Sequence, residues 1–413
     1  MMTFNTSERR LAIALFAALF LTACGGGGDG SDSPSNSNDG NPIPSTPETP
    51  STPSIPEEPS EPIQPNVQTE NDKVIASNDA SAALVASGTI SSARRGCGLS
   101  GLSDDPALED IAIKHANYIK YVYAKSTPTA FNAHYEGEIE DIKAWTGSNN
   151  PFFTGDMFED RIRKAAYPNS MYGVTENIAQ TEYFNSDGIL VAPEVAALSM
   201  TKSLLAAPYH LRSLMLPSSS LTSSAMVAYK PYGKDSTKYQ GYIMVNHASA
   251  ASSTKNDTVE GIFTYPCQGV SDTVTALYNE SPDPFRNPNG GQPTRDLRIN
   301  PIGQPVYISM PKATNIKVSN IKFRDIQRNI DVPVDLLDYS NDPHKRTAYE
   351  LPQNQAFILP LTDSLQSCEV GRRKGKNCGL YGNSKYQVSF DVLVDNKTLE
   401  KQSFTFTTGE VTY

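Results

Sequence analysis

The sequence predicts an α+β protein in which helices pack around a small sheet and an all-β sandwich follows. Three observations carry this. Between residues 105 and 214 apolar side chains recur at helical spacing, most clearly in "DDPALEDIAIKHANYIKYVYA". The runs "SAMVAYKP", "GYIMVNHA" and "GIFTYP" come next and read as a three-stranded antiparallel sheet. Beyond residue 296 only short β-rich runs separated by turn residues remain.

The N-terminus must be set aside before any fold argument. Arg9 and Arg10 precede the apolar run Leu11 to Phe20, which is shorter than the about 20 residues a membrane helix needs. Leu21-Thr22-Ala23-Cys24 follows and resembles a bacterial lipoprotein signal, which implies removal of residues 1–23 and a lipid on Cys24. Residue 25 is Gly rather than Asp, and by resemblance to Gram-negative sorting rules this implies the outer membrane, on its periplasmic or surface face. Residues 25–75 hold Gly, Ser, Asn, Asp and Pro with almost no large apolar side chain, so they cannot offset their ordering entropy and read as a disordered linker.

The 413-residue chain carries 35 Lys and Arg against 45 Asp and Glu, a net charge of −10. Loss of Glu8, Arg9 and Arg10 with the signal leaves 33 against 44, or −11, which disfavours nonspecific nucleic-acid binding. No second hydrophobic run of spanning length occurs. With Cys24 assigned to lipid, Cys97, Cys267, Cys368 and Cys378 remain, and four cysteines allow three pairings. Export favours disulfides, and the sequence distances favour Cys97 with Cys267 and Cys368 with Cys378. The expected organisation is a signal peptide over 1–23, lipidated Cys24 and linker over 24–77, a helix-and-sheet domain over 78–268, a connector over 269–295 and a β domain over 296–413.

Within the first domain a helix should begin after Asp105, an N-cap, with Pro106 at the first helical position and Glu109 in the first turn. Leu108, Ile111, Ala112, His115, Ile119 and Val122 form its apolar stripe, and His115 reads as a core histidine satisfied by one or two hydrogen bonds. "GDMFEDRIRKAAYP" is a second helix, with Asp156 and Glu159 as an acidic capping box, Arg161, Arg163 and Lys164 toward its C-terminus, and Phe158, Ile162 and Ala165 facing inward. A third follows Pro193 with Val195, Leu198 and Leu205 at core spacing. In "VTENIA" strand alternation puts Glu176 on one face with Val174 and Ile178, and a buried carboxylate there needs partners from elsewhere.

"RRGCGLSGL", "DPALEDIAIKHANYI", "AHYEG", "FFTGDMFEDRIRKAAYP", "VTENIAQ" and "LLAAPYHLRSLM", in that order, resemble a bacterial CAP (SCP-like) domain. This is the superfamily of cysteine-rich secretory proteins, antigen 5 and plant pathogenesis-related 1 proteins. The resemblance implies an α/β/α sandwich over 78–268 and a central cleft lined by Glu176, His134 and His210, with Arg212 as the cleft arginine. Two imidazoles and a carboxylate suit Zn²⁺ or another divalent cation with one position open; the equal alternative is that Glu176 only accepts hydrogen bonds and holds the cleft together. The sequence departs from the family where "SMTKSLLAAPYH" offers Ser and Lys202 in place of a second acid, and where Leu211 separates His210 from Arg212. Glu136 would supply that acid only if its loop turned inward, and it reads as an exposed loop residue.

The β domain holds "PVYISM", "NIKVSNIKF", "VPVDLL", "QAFILPL", "YQVSFDVLVDN" and "SFTFTT". Tyr386, Val388, Phe390, Val392 and Val394 alternate strictly and then meet Asp395-Asn396, a hairpin signal, so an immunoglobulin-like sandwich is expected. Arg372, Arg373, Lys374 and Lys376 lie between the last two cysteines and read as a solvated hairpin tip, with a patch for an anionic envelope polymer as the alternative.

No GxSxG, HExxH, GxGxxG or P-loop pattern occurs, and no catalytic residue is assigned. The expected function is an envelope lipoprotein that binds a lipid or envelope polymer in its cleft, anchored in the bilayer through Cys24. The alternatives are a metal-assisted hydrolase with Glu176 as general base, and a structural, adhesin-like display module.

Overall fold

Small side chains decide how the first half is built. The computed structural model describes residues 76–129, 131–251, 259–286, 293–365, 368 and 378–411, with the backbone of 20–25. The signal before residue 20, the linker over 26–75 and the basic residues 372–376 lie outside the described residues. Helix α1 (Ala80–Gly96), which sequence periodicity did not announce, is capped by the Asp79 side chain and buries Ala82, Ala83, Ala86 and Ile90. It packs on α4 (Pro193–Leu204), whose buried residues include Ala196, Ala197, Met200 and Leu204. Small alanines at this contact leave room for Ile90, Met200 and Leu204 in the same buried stripe, while other apolar side chains of α4 fall outside it. Val195 and Leu198, expected in the core, are therefore 60% and 37% exposed.

Helix α2 (Pro106–Lys125) starts as its sequence dictates. Asp105 accepts hydrogen bonds from the Ala107 and Leu108 amides at 2.8 and 3.1 Å, and Leu108, Ile111, Ala112, His115, Ile119 and Val122 are buried. Helix α3 (Phe158–Lys164) begins later than expected, with Met157 at the cap and Asp160 rather than Glu159 accepting from its amide at 3.2 Å.

The central sheet runs β1 (Phe20–Gly25), β3 (Val174–Phe184), β5 (Tyr239–Ser249), β4 (Leu221–Tyr229) and β2 (Ser103–Asp104). All neighbours are antiparallel except β2 and β4. Strand β1 pairs in the uncleaved chain; cleavage before Cys24 would remove residues 20–23 from it. Ile178, Ala225, Val227, Ile243 and Val245 face α2, whereas Ala179, Met226 and Met244 face α1, α4 and the short helix α5 (Pro208–Leu214). Helices thus cover both faces of this sheet.

The second half consists of two four-stranded antiparallel sheets. One runs β10 (Val334–Asp338), β11 (Gln355–Pro360), β7 (Val306–Ser309), β6 (Phe263–Tyr265). The other runs β13 (Thr398–Thr407), β12 (Lys385–Val394), β8 (Ile316–Asp325), β9 (Ile330–Asp331). Val306, Ile308, Ile358, Phe323, Val388, Phe390 and Phe406 fill the space between the two sheets. Strand β6, expected in the first sheet, instead pairs with β7, with Phe263 opposite Ser309 and Tyr265 opposite Tyr307.

Strand alternation also gives the β10-β11-β7-β6 sheet a second apolar face. Tyr307, Leu337, Phe357 and Leu359 pack in one cluster with Leu204, Tyr209 and Leu211, so the two halves share a core and form one compact unit. The disulfide Cys97–Cys267 bridges 170 residues from the end of α1 to the end of β6, and Cys368 pairs with Cys378.

Candidate functional site

Five ionisable side chains meet a single arginine on the α2 face of the central sheet. Register places Glu176 of β3 directly opposite His247 of β5. His247 Nε2 lies 3.0 Å from Glu176 Oε2, and His134 Nδ1 lies 2.7 Å from Oε1. From α3, Arg161 Nη2 donates to both Glu176 oxygens at 2.7 and 2.8 Å, and Nη1 donates to the His134 carbonyl at 2.9 Å. Arg161, one of the basic residues toward the C-terminus of this helix, is only 1% exposed. Its position between Phe158 and Ile162 on the inward stripe required that.

Glu136 joins from the loop after His134 and is fully buried rather than exposed. Its Oε1 bonds His115 Nδ1 at 2.6 Å, and its Oε2 accepts from the Thr154 and Gly155 amides at 2.7 and 3.3 Å. Gly155 lies close against the start of α3, where a Cβ would fall 2.9 Å from Asp160 Cβ. Tyr118 fastens the same loop by donating to the Glu136 carbonyl at 2.6 Å. His115 Nε2 faces Arg161 Nη2 at 3.3 Å, so the neutral ring with its proton on Nδ1 satisfies both contacts.

The electrostatics follow from this geometry. Burial alone would raise the Glu176 carboxyl, but Arg161, His115 and the bonds from His134 and His247 outweigh it and hold the group well below the usual carboxylate range. Burial, reinforced by Arg161, pushes His115 below its ordinary value against the pull of the two glutamates.

Of the residues expected to line one cleft, the structure brings together His134 and Glu176 only. Asn177, the next residue of β3, points to the opposite face and accepts from Ser213 of α5. The sheet therefore lies between Glu176 and the α5 residue His210. His210 Nδ1 lies 3.4 Å from Glu280 Oε1, and Arg212 Nη1 donates to the Tyr349 and Glu350 carbonyls at 3.2 and 3.1 Å. Both side chains serve the junction with the β half. The expected ligand set of His134, His210 and Glu176 does not converge, and among the described residues no group of three or more His, Cys, Asp and Glu side chains is disposed to hold a metal ion. Arg161 takes the position on Glu176 that a cation would need.

His134 Nε2 is buried and has no hydrogen-bond partner among the described residues. A ring anchored through Nδ1 presents a lone pair at Nε2, as a general base does, but no hydroxyl or thiol among the described residues is bonded to it. Two cavities lie away from this cluster. One of about 410 Å³ is lined by Phe285, Thr294, Asp335, Leu337 and Asn341, and one of about 180 Å³ by Lys322, Arg324 and Asp331.

Sequence reasoning missed Arg161 and His247. Arg161 was legible as a charge on an apolar helical stripe; His247 needed the β3–β5 register, which no local pattern specifies. No known family's sequence profile matches the chain, and no curated protein matches it. Among solved structures the Yersinia pseudotuberculosis adhesin InvE aligns at 8% identity over 56% of this chain and 54% of its own, with a TM-score of 0.11, a likeness too slight to carry an argument. The chain thus spans about half the length of that protein.

Proposed function

We propose that the chain is a non-catalytic, lipid-anchored interaction module of the cell envelope, with a CAP-type half and an immunoglobulin-like half. The carrying observation is the internal saturation of the polar cluster: each Glu176 oxygen is bonded from within, Arg161 occupies the cation position, and His210 and Arg212 belong to the junction. A catalytic metal site needs an open coordination position and converging ligands, and this arrangement offers neither. The ordered motifs from "RRGCGLSGL" to "LLAAPYHLRSLM", and a sheet covered by helices on both faces, support the CAP assignment.

Envelope attachment rests on Cys24. In a detergent phase-separation assay the native chain should enter the detergent phase and Cys24→Ser should stay aqueous; equal partitioning would remove the anchor. The chain lacking residues 1–23 should sediment with vesicles of phosphatidylethanolamine and phosphatidylglycerol or with peptidoglycan sacculi, and should release no cleavage product. The unpartnered His134 Nε2 favours the second reading, a hydrolase. Product release that depended on His134 would establish that reading in place of the interaction module.

A further inference from the structure

The outermost strand of a sheet leaves a row of amides and carbonyls without partners, and another chain can pair with it there. Most edges of this protein are protected. Strands β2 and β9 are two residues long, and β6 has three with Pro266 directly after it. On β10 the Asn341 side chain stands in for a strand, accepting from the Asp338 amide at 2.8 Å and donating to the Leu336 carbonyl at 2.5 Å. On β13 the Thr405 carbonyl accepts from the Gly269 amide at 2.8 Å, the Thr407 amide donates to the Val270 carbonyl at 2.9 Å, and Lys401 is exposed. Strand β3 has no such device. It runs for 11 residues, "VTENIAQTEYF", without proline, lysine or arginine, and pairs with β5 in unbroken register from Val174 opposite Ser249 to Phe184 opposite Tyr239. Residues 174–181 are buried. On its other side β3 is covered by β1, with Phe20 opposite Gln180 and Gly25 opposite Thr175. Removal of residues 1–23 would reduce β1 to Cys24 and Gly25 and leave Asn177–Gln180 with no paired strand on that side.

We infer that loss of the signal uncovers a strand-accepting seat on the β3 edge, and that its occupant in the mature protein is an extended, uncharged, proline-free peptide segment of another envelope protein, added antiparallel to β3. The inference rests on the reading above, an interaction module whose signal is removed. Three observations choose the occupant. Residues 20–25 fit the seat as a strand, and their sequence, "FLTACG", holds no charge and no proline. Strand β1 touches helix α5 as well as β3, so the seat is a slot beside a helix, which admits a single extended segment more readily than the sheet of a second copy. The chain's own continuation, Gly25–Gly28 followed by Asp29 and then Ser, Asn and Pro residues, is poor in strand formers and a weak competitor for the seat. Main-chain hydrogen bonds would supply the affinity of such a strand addition, and alternate side chains its selectivity.

The test compares a chain beginning at residue 26, whose seat is empty, with a chain beginning at residue 18 and carrying Cys24→Ser, whose seat is filled by its own β1. The probe is a fluorescent peptide of residues 18–27 with Cys24→Ser. It should bind the shorter chain one to one, and the longer chain about tenfold or more weakly, because there the tethered strand competes. Amide exchange at Asn177–Gln180 should be about tenfold or more faster in the shorter chain than in the longer one, and the peptide should slow it again. A peptide with both Leu21→Pro and Thr22→Pro should not bind, since one of two adjacent amides must point toward β3. The inference is overturned if the shorter chain fails to bind the peptide, if Asn177–Gln180 are equally protected in both chains without it, or if their protection rises with protein concentration as the shorter chain dimerises, which would make a second copy the occupant. Loss of the lipid anchor in the partitioning assay while the peptide still binds would strike the lipoprotein reading and leave the seat standing; an intact anchor without peptide binding would strike the seat alone.

Discussion

At the scale of single residues, Glu176 and Glu280 are two fully buried glutamates with opposite environments. Glu176 is surrounded by donors, whereas Glu280 accepts from the Tyr209 amide at 2.7 Å while its Oε2 has no partner among the described residues, and burial holds it well above the usual carboxylate range. Glu176→Ala would leave Arg161 buried without its main counter-charge and should cost about 3–5 kcal/mol; Glu176→Gln keeps an acceptor and the shape and should cost less. Urea midpoints at neutral pH measure both, and equal losses would refute the pairing. The pH dependence has two signs. Because the folded Glu176 value is depressed, its contribution is present above about pH 4.3 and is lost as pH falls through the folded value. His115 stays neutral in the fold while the unfolded chain takes its proton near about pH 6.5, so stability also declines on acidification from there. Glu280 acts oppositely: the fold keeps a proton that the unfolded chain releases, so its contribution is full at acid pH and fades as pH rises through the raised value. Relative to the native chain, Glu280→Gln should therefore gain stability between about pH 5 and about pH 8, and a constant difference across that range would contradict the buried, protonated state.

Among the elements, α5 has seven residues, too few to be stable alone, and is held at both ends by side chains from distant segments. Glu280 meets the amides at its N-terminus, and Arg94 of α1 meets carbonyls at its C-terminus. Arg94 donates to the carbonyls of Ser100, Leu214, Leu216 and Ser219 at 2.8–3.0 Å, and burial lowers its guanidinium to about 10. Arg94→Ala strands these buried acceptors and should cost about 3 kcal/mol or more, whereas Tyr209→Phe removes one bond to Asp342, which still accepts from the His344 and Leu351 amides, and should cost about 1 kcal/mol. Chemical denaturation of the two variants checks the ranking; a larger loss for Tyr209→Phe would mean that α5 is held from the β half instead. The helix was legible in "PYHLRSL" through its Pro208 start, but its partners were not, because they lie 70 to 138 positions away in sequence.

For the whole molecule, the shared core predicts one cooperative unfolding transition. Tyr307, Phe357, Leu337 and Leu359 would face water if the β half were expressed alone, so a chain of residues 269–413 should be poorly soluble or bind hydrophobic dyes, and independent melting of two halves would refute the common core. Replacing Cys97 and Cys267 together by Ser releases a 170-residue closure, worth about 5 kcal/mol by loop entropy, and should lower the single transition rather than split it. Local chemistry in the sequence was enough for the α2 cap at Asp105, the α2 stripe with His115 inside, the strict alternation of β12 and the pairing of the cysteines, since each depends on neighbours within a few turns or on simple chain distance. Burial of Glu176 was legible too, from the alternation of Val174, Glu176 and Ile178. What closes around it was decided only in three dimensions. The β3–β5 register delivers His247, the inward stripe of α3 delivers Arg161, the Glu136 loop turns in because two amides and the Tyr118 hydroxyl hold it, and the sheet itself divides Glu176 from His210. Register, loop direction and the face on which a helix lands are set by contacts between distant segments, and those energies appear only when the whole chain has packed.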